Sequence, residues 1–230
     1  KTTVIARLVA QLCADDYAVI VTAPTHKALA VIGAKISDEL ADEVPEPELR
    51  TIHSALGLKM IERDDGTLAT SVGDGRAVVA DFDVMIVDEA SMLSDELFAA
   101  IISARRKCRV VFVGDPAQLP PVQTGNTRAS AVFDPQRVPV QATLTDVVRQ
   151  ALGNPIIAFA THLRSCIDAG RMPEITEVSD IIDRLGGNQL SIVSGAGTHL
   201  FVDWCAHAVR DGMDARILAF TNRAVDRYNV

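Results

Sequence analysis

The chain has 230 residues, 48% of them hydrophobic and 23% charged, enough apolar content for one large core or two modest ones and unlike a disordered or fibrous composition. No apolar run approaches the roughly 18 residues that span a bilayer, and no basic-then-apolar leader is visible, so a soluble, cytoplasmic protein is expected. The net charge of −8 speaks against a free-standing nucleic-acid binder held by a basic face, though not against a motor that grips one strand in a groove.

In chain order, Lys1-Thr2-Thr3 leads straight into an apolar-periodic stretch through Val4, Ile5, Leu8, Val9 and Leu12. A β-branched run at Tyr17–Thr22 predicts a strand, and the spacing of Ala28, Leu29, Ile32 and Ile36 predicts a helix over Thr25–Leu40. Asp38, Glu39, Asp42, Glu43, Glu46 and Glu48 meet no Lys or Arg and surround Pro45 and Pro47, so this stretch is read as a solvated helix end and loop. Leu58–Val79, punctuated by Asp65-Gly66 and Gly73-Asp74-Gly75, predicts a small hairpin insertion. A buried strand is expected at Phe82–Val87, a helix at Ser94–Ser103 with Ser94 as its cap, and a strand at Cys108–Val113.

Gln123–Pro139, rich in Thr, Asn, Gly and Pro, is expected to carry the chain to a second unit. That unit would hold a strand at Val140–Leu144, helices at Pro155–Ala169 and Thr198–Arg210, a strand at Ala215–Thr221 and a helix beginning at Asn222. Strands alternating with helices imply an α/β fold with a parallel, doubly wound sheet and ligands at the carboxyl ends of its strands. The expected domains are 1–138, with the insertion at about 58–80, and 139–230. Cys13, Cys108, Cys166 and Cys205 form no C-x-x-C pair, and His26, His53, His162, His199 and His207 show no metal spacing. No zinc site is therefore expected, and the cysteines are read as small buried hydrophobes in a reducing compartment.

Two strand ends carry chemistry. Val84–Val87 runs into Asp88-Glu89-Ala90-Ser91, so paired acids stand where one carboxylate can hold a metal and the other can activate water. Val110–Val113 runs into Gly114-Asp115-Pro116-Ala117-Gln118, whose Asp115 and Gln118 can sense a phosphate held between the two strands. Lys1-Thr2 matches the last two positions of the phosphate loop G-x-x-x-x-G-K-[ST], in which Lys reaches the β/γ oxygens and the hydroxyl binds Mg²⁺. The glycines of that loop do not precede Lys1, and the chain is read as a fragment of a nucleotide-driven motor.

Further runs carry a family resemblance. Thr22-Ala23-Pro24-Thr25-His26-Lys27-Ala28-Leu29 resembles helicase motif Ia, and Thr51-Ile52-His53-Ser54-Ala55-Leu56 resembles motif Ib. With the acid pair, the Gly114–Val122 run, Leu144-Thr145-Asp146-Val147-Val148-Arg149-Gln150 and Ala219–Asn229, their order is similar to superfamily 1 DNA helicases of the RecD/Dda type. The resemblance implies a RecA-like P-loop NTPase domain followed by an incomplete second RecA-like domain. It implies ATP and Mg²⁺ as cofactors, with Lys1, Thr2, Thr3, Asp88, Asp115, Gln118 and Arg149 around the nucleotide and Thr2 and Asp88 on the metal. Glu89 would polarise the attacking water, Gln118 would report the γ-phosphate, and Arg149 would act as an arginine finger coupling hydrolysis to domain closure. Pro24, Thr25, His26, Thr51, His53 and Asn222 would touch the sugar-phosphate backbone of a single strand.

Aromatic residues make up only 4% of the chain, and Trp204, Phe98, Phe112, Phe159 and Phe201 sit at core-like positions, so backbone contacts rather than base stacking are expected. The family's motifs V and VI are not found, and the insertion lacks an aromatic wedge; the 230 residues alone are expected neither to bind ATP well nor to unwind a duplex. The implied activity is ATP-driven movement along single-stranded DNA, 5′-to-3′ by family analogy, with unwinding at duplex junctions and replication or recombination proteins as partners. A RecD-like subunit of a recombination complex, a relaxase-linked helicase domain and a non-motor ATP switch are the alternatives.

Overall fold

Residues 1–62, 68–73, 75–121, 129–144, 155–185, 198–215, 217–218 and 224 are described by the computed structural model, and the chain divides into two compact units, Lys1–Thr145 and Asp146–Val230. The first unit opens with helix α1 (Thr2–Ala14), which buries Ile5, Ala6, Val9 and Cys13 along one face. Asp16 ends it in a left-handed conformation, and the Asp16 and Tyr17 amides donate back to the Cys13 and Leu12 carbonyls, a Schellman closure. Strand β1 (Val19–Ala23) is buried throughout. Helix α2 (His26–Ser37) follows, capped by Thr25, whose Oγ1 accepts the Ala28 N–H at 3.2 Å. Strand β2 (Glu48–Thr51) runs without a break into the short helix α3 (Ile52–Ala55), where Thr51 Oγ1 accepts the Ser54 N–H at 3.2 Å.

The expected insertion is an antiparallel hairpin of β3 (Leu58–Glu62) and β4 (Leu68–Val72). Its base is tied down by the Gly73 amide on the Gly57 carbonyl and the Val78 amide on the Ala55 carbonyl. At Gly57 φ is 67°, and any Cβ would strike the Gly75 and Arg76 backbone, so only glycine fits there. Strand β5 (Val84–Val87), helix α4 (Asp95–Ala104) and strand β6 (Arg109–Phe112) complete the sequence of elements that build the sheet. Ser94 caps α4 through the Leu97 N–H, with Asp95 and Glu96 in the first turn where negative charge opposes the helix dipole.

The sheet has four parallel strands in the order β2-β1-β5-β6, as an α/β sequence pattern implies. Side chains alternate across it. Val19, Val21, Val84 and Ile86 pack with Ile5, Val9, Ile32 and Ile36 of α1 and α2, whereas Ile20, Met85 and Val87 pack on the other face with Ile52, Leu93, Phe98 and Ile101. Burial on both faces explains why β1 and β5 are continuous apolar runs rather than alternating ones. The segment expected to serve only as a link contributes to this core as well, since Ala131 and Val132 are buried in it.

In the second unit the described residues form α5 (Pro155–Asp168), α6 (Ile175–Leu185) and α7 (Thr198–Arg210), and no strand is found among them. Gly170 at φ 64° closes α5, with the Gly170 amide on the Ile167 carbonyl and the Arg171 amide on the Cys166 carbonyl. Arg171 then forks onto both oxygens of Glu177 at 2.9 Å each, and this pairing, with the Glu174 amide, pulls the Glu177 carboxyl down to about 2.

Three expectations are corrected here. Val140–Leu144 is not a strand: it adopts no regular structure, and Val140 is 89% exposed, because no strand among the described residues offers it a ladder. Ala215, Leu218 and the residue before it are likewise not in a strand; the rest of the expected final strand and the helix after it, Ala224 apart, lie outside the described residues. Trp204 and Phe201 are exposed rather than core, while Phe98 is buried and stacks at 5.6 Å against Phe112.

Candidate functional site

A parallel sheet delivers the chain after every strand to the same edge, and the sequence-predicted residues of the first unit collect there. β1 ends at Ala23 and is followed by Pro24, Thr25 and His26; β2 ends at Thr51 itself. Ala23 lies directly opposite Thr51 in the β1–β2 register, so the two capped helix starts stand side by side. On the other flank of β1, Thr22 is opposite Val87, which puts Asp88 and Glu89 beside the same edge. β6 continues it with Val113, Gly114 and Asp115. The edge is thus split into a hydroxyl- and imidazole-bearing half at β2/β1 and a carboxylate-bearing half at β5/β6.

The carboxylate half is rigidly built. Asp88 is buried, its amide donates to the Thr22 carbonyl at 2.8 Å, and its Oδ1 accepts the Glu89 N–H at 2.9 Å. Glu89 sits in the left-handed region at φ 52°, ψ 39°, a conformation that costs a non-glycine residue about 1–2 kcal/mol and that gathers at functional sites. The next amide, Ala90, is fixed on the Val113 carbonyl at 2.9 Å. These bonds hold the acid pair off the end of β5 against the end of β6.

Lys1 reaches this pair: its Nζ is 3.9 Å from Glu89 Oε2, with both side chains about a third exposed. So long and wet an ion pair is worth little, about 0–1 kcal/mol. Lys1 is the N-cap of α1 and supplies no side-chain cap, and the first turn of α1 contains no acid. Among the described residues its leading N–H groups therefore lack side-chain acceptors, the arrangement in which a helix start takes an anion. Thr2 and Thr3 belong to that turn.

Beyond β6, Asp115 Oδ1 accepts the Ala117 N–H at 3.1 Å and its carbonyl accepts the Gln118 N–H at 3.0 Å. Asp115 therefore shapes the turn that presents Gln118, whose side chain is exposed. Gly114 has a role that residue type alone does not announce: a Cβ there would lie 2.9 Å from both the Ser91 nitrogen and Phe133 Cζ. A backbone atom cannot step aside, so Gly114→Ala is expected to lower stability by about 1–3 kcal/mol, read as a shift of the denaturant midpoint. An unchanged midpoint would mean that the two loops are free to separate.

In the other half, the Oγ1 atoms of Thr25 and Thr51 accept helix N–H groups, which leaves each hydroxyl proton available to a ligand. His26 is exposed and His53 half-buried. Burial lowers the His53 pKa below its ordinary 6.5, so at pH 7 the ring is a neutral hydrogen-bonding group rather than a cation. Because the folded state resists protonation, the stability this neutral ring contributes is complete above 6.5 and is lost as pH falls through the depressed value. His53→Gln should flatten that part of the melting-temperature profile below pH 6.5; an identical profile in the variant would contradict it. Arg149 and Asn222 lie outside the described residues.

Comparison with known proteins adds the family. The profile of the AAA domain family matches residues 1–178. The chain is 29% identical over 222 residues to the ATP-dependent DNA helicase dda of Enterobacteria phage T4, covering 92% of this chain and 44% of that protein. It is 43% identical over 85 residues to the ATP-dependent RecD2 DNA helicase of Deinococcus radiodurans, covering 36% of this chain and 11% of the relative, so it spans less than half the length of either. Among solved structures, Bacteroides Pif1 bound to single-stranded DNA aligns with a TM-score of 0.48 at 17% identity, over 87% of this chain and 49% of that one. With the AAA domain profile matched across 1–178, the chain belongs to the AAA domain family, and its similarity to the dda and RecD2 helicases supports a fragment of the superfamily 1 RecD/Dda type.

Proposed function

We propose that this chain carries the ATPase machinery of a DNA helicase, which converts ATP hydrolysis into movement along single-stranded DNA and opens duplex at a junction. The observation that supports this reading most is the convergence of Lys1, Asp88 and Glu89, with Lys1 Nζ 3.9 Å from Glu89 Oε2 at the carboxyl edge of the sheet. In a motor of this kind Lys1 binds the β/γ oxygens, and the open amides at Thr2 and Thr3 add further donors to the phosphates. The weak Lys1–Glu89 pair is then exchanged for a Lys1–phosphate pair, which frees Glu89 to accept a proton from the attacking water.

Thr2 and Asp88 fit a magnesium ion. A hydroxyl and a carboxylate are the hard oxygen donors that such a cation takes, and among the described residues only Oδ1 of Asp88 is engaged, by the neighbouring amide. When bound, the ion neutralises charge developing on the β- and γ-phosphate oxygens. Gln118, set on the turn that Asp115 organises, senses the γ-phosphate, and Arg149 supplies positive charge to the transferring phosphoryl group.

Pro24, Thr25, His26, Thr51 and His53, with Asn222, make the track for the strand. Their donors suit phosphate and sugar oxygens, which fix position without reading sequence. With the two halves on neighbouring strand ends of one sheet, strand binding and phosphate chemistry share β1 as their common support. Travel is 5′-to-3′ in this reading, and proteins of replication or recombination are the expected partners.

The experiment is an ATPase assay of the full-length protein with and without single-stranded DNA. The rate is expected to rise on adding DNA, and a labelled strand should be displaced from a forked duplex. A rate indifferent to DNA would overturn the motor; a DNA-stimulated rate without displacement would point to an ATP-dependent switch.

A further inference from the structure

We propose that α5 and α6 carry a binding site for a zinc-type divalent cation, formed by His162 Nε2, Cys166 Sγ and Glu177 Oε2, with solvent as the fourth ligand. The four-residue spacing of His162 and Cys166 on α5 puts both on one helix face, and the turn after Gly170 returns the chain so that Glu177 of α6 meets them. Nε2 lies 3.6 Å from Sγ and 3.3 Å from Oε2, and the three ligand atoms all fall within 4.8 Å of one another.

The nitrogen–sulfur and nitrogen–oxygen separations are close to what coordination demands. Bond lengths of about 2.3 Å to sulfur and about 2.0–2.2 Å to nitrogen and oxygen, in a tetrahedron, place nitrogen about 3.6 Å from sulfur and about 3.4 Å from oxygen. Mixed N/S/O donors select a borderline-soft ion such as Zn²⁺ or Co²⁺ over Mg²⁺ or Ca²⁺. Cys166 is 1% exposed and approaches from the packed side, whereas His162 and Glu177 are partly exposed, which leaves an entry path and room for a water. The carboxylate is already oriented, by Arg171 on both oxygens and by the Glu174 amide on Oε2 at 3.0 Å. Such outer partners are what ligating carboxylates ordinarily have.

Loading the ion removes the thiol proton of Cys166 to solvent and requires the imidazole proton to sit on Nδ1. Its effect is to staple the α5–α6 hairpin. The site is independent of the nucleotide reading, because none of its residues belongs to the first unit.

The test is titration of the metal-stripped full-length protein with Co²⁺ alone. A single equivalent should bind, with a thiolate-to-cobalt charge-transfer band and the intense visible bands of four-coordinate cobalt, and added Zn²⁺ should bleach both. Cys166→Ser should abolish the charge-transfer band, Glu177→Gln and His162→Ala should each weaken binding at least about tenfold, and Cys205→Ser should change nothing. X-ray absorption of the zinc-loaded wild-type protein provides a reading that does not depend on any variant folding: one sulfur neighbour at about 2.3 Å is expected. Absence of stoichiometric binding, a charge-transfer band that survives Cys166→Ser, or a zinc shell without sulfur would each overturn the site.

Discussion

Glu89→Gln in the full-length protein is expected to lower the maximal ATPase rate by about 10²- to 10⁴-fold, the range associated with a positioned general base, while nucleotide affinity stays near the wild-type value. Gln is nearly the same size and shape, so the left-handed backbone at φ 52° and the Ala90–Val113 tie carry over. What disappears is the negative charge that takes the proton. Lys1 loses only a loose partner at 3.9 Å, and a lysine released from that pair binds phosphate no less well. A rate assay paired with a nucleotide-binding titration separates the cases: loss of both would make Glu89 a structural residue, and an unchanged rate would place the base elsewhere.

Arg149→Ala carries the second-largest effect, a fall of about 10³-fold in turnover with ATP affinity nearly intact. An arginine finger acts on charge that develops as the phosphoryl group leaves, and an interaction made only in the transition state appears in kcat and not in ground-state binding. Single-turnover hydrolysis at saturating ATP reads this directly. Equal losses in binding and rate would instead assign the guanidinium to holding the fold.

Much of the carboxylate-bearing edge was legible because its residues follow buried strands. Four buried positions, Val84 to Val87, make an unmistakable apolar run, and the polar residues after such a run in a parallel sheet come out at its carboxyl edge. Thr25 and Ser94 were readable as helix starts for a local reason, a side-chain oxygen poised for the first free amides. β2 was not readable: Glu48 to Thr51 is an edge strand with exposed Glu48 and Leu49, so hydrophobic periodicity has nothing to register. The opposite failure occurred at Val140–Leu144, where β-propensity with no partner strand among the described residues gives no strand.

Helix α6 was not predicted although Ile175, Val178, Ile181 and Leu185 keep helical spacing, because it lacks a start signal like the Asn154-Pro155 that opens α5. His162 and Cys166 stand four apart, the separation of neighbours on one helix face, a pattern that C-x-x-C spacing does not include; the third member, Glu177, comes only from the hairpin. Gly114 is invisible for a different reason. Its requirement is set by Phe133 and Ser91 approaching from remote parts of the chain, and no local pattern records that.

The most direct measurement is a crystal structure of the full-length protein with magnesium and a non-hydrolysable ATP analogue. Lys1 Nζ should leave Glu89 Oε2, now 3.9 Å away, and contact the β- and γ-phosphate oxygens, with Asp88 on the metal side and Glu89 facing the γ-phosphate. An analogue bound away from this sheet edge, with Lys1 still resting on Glu89, would contradict the assignment of the site.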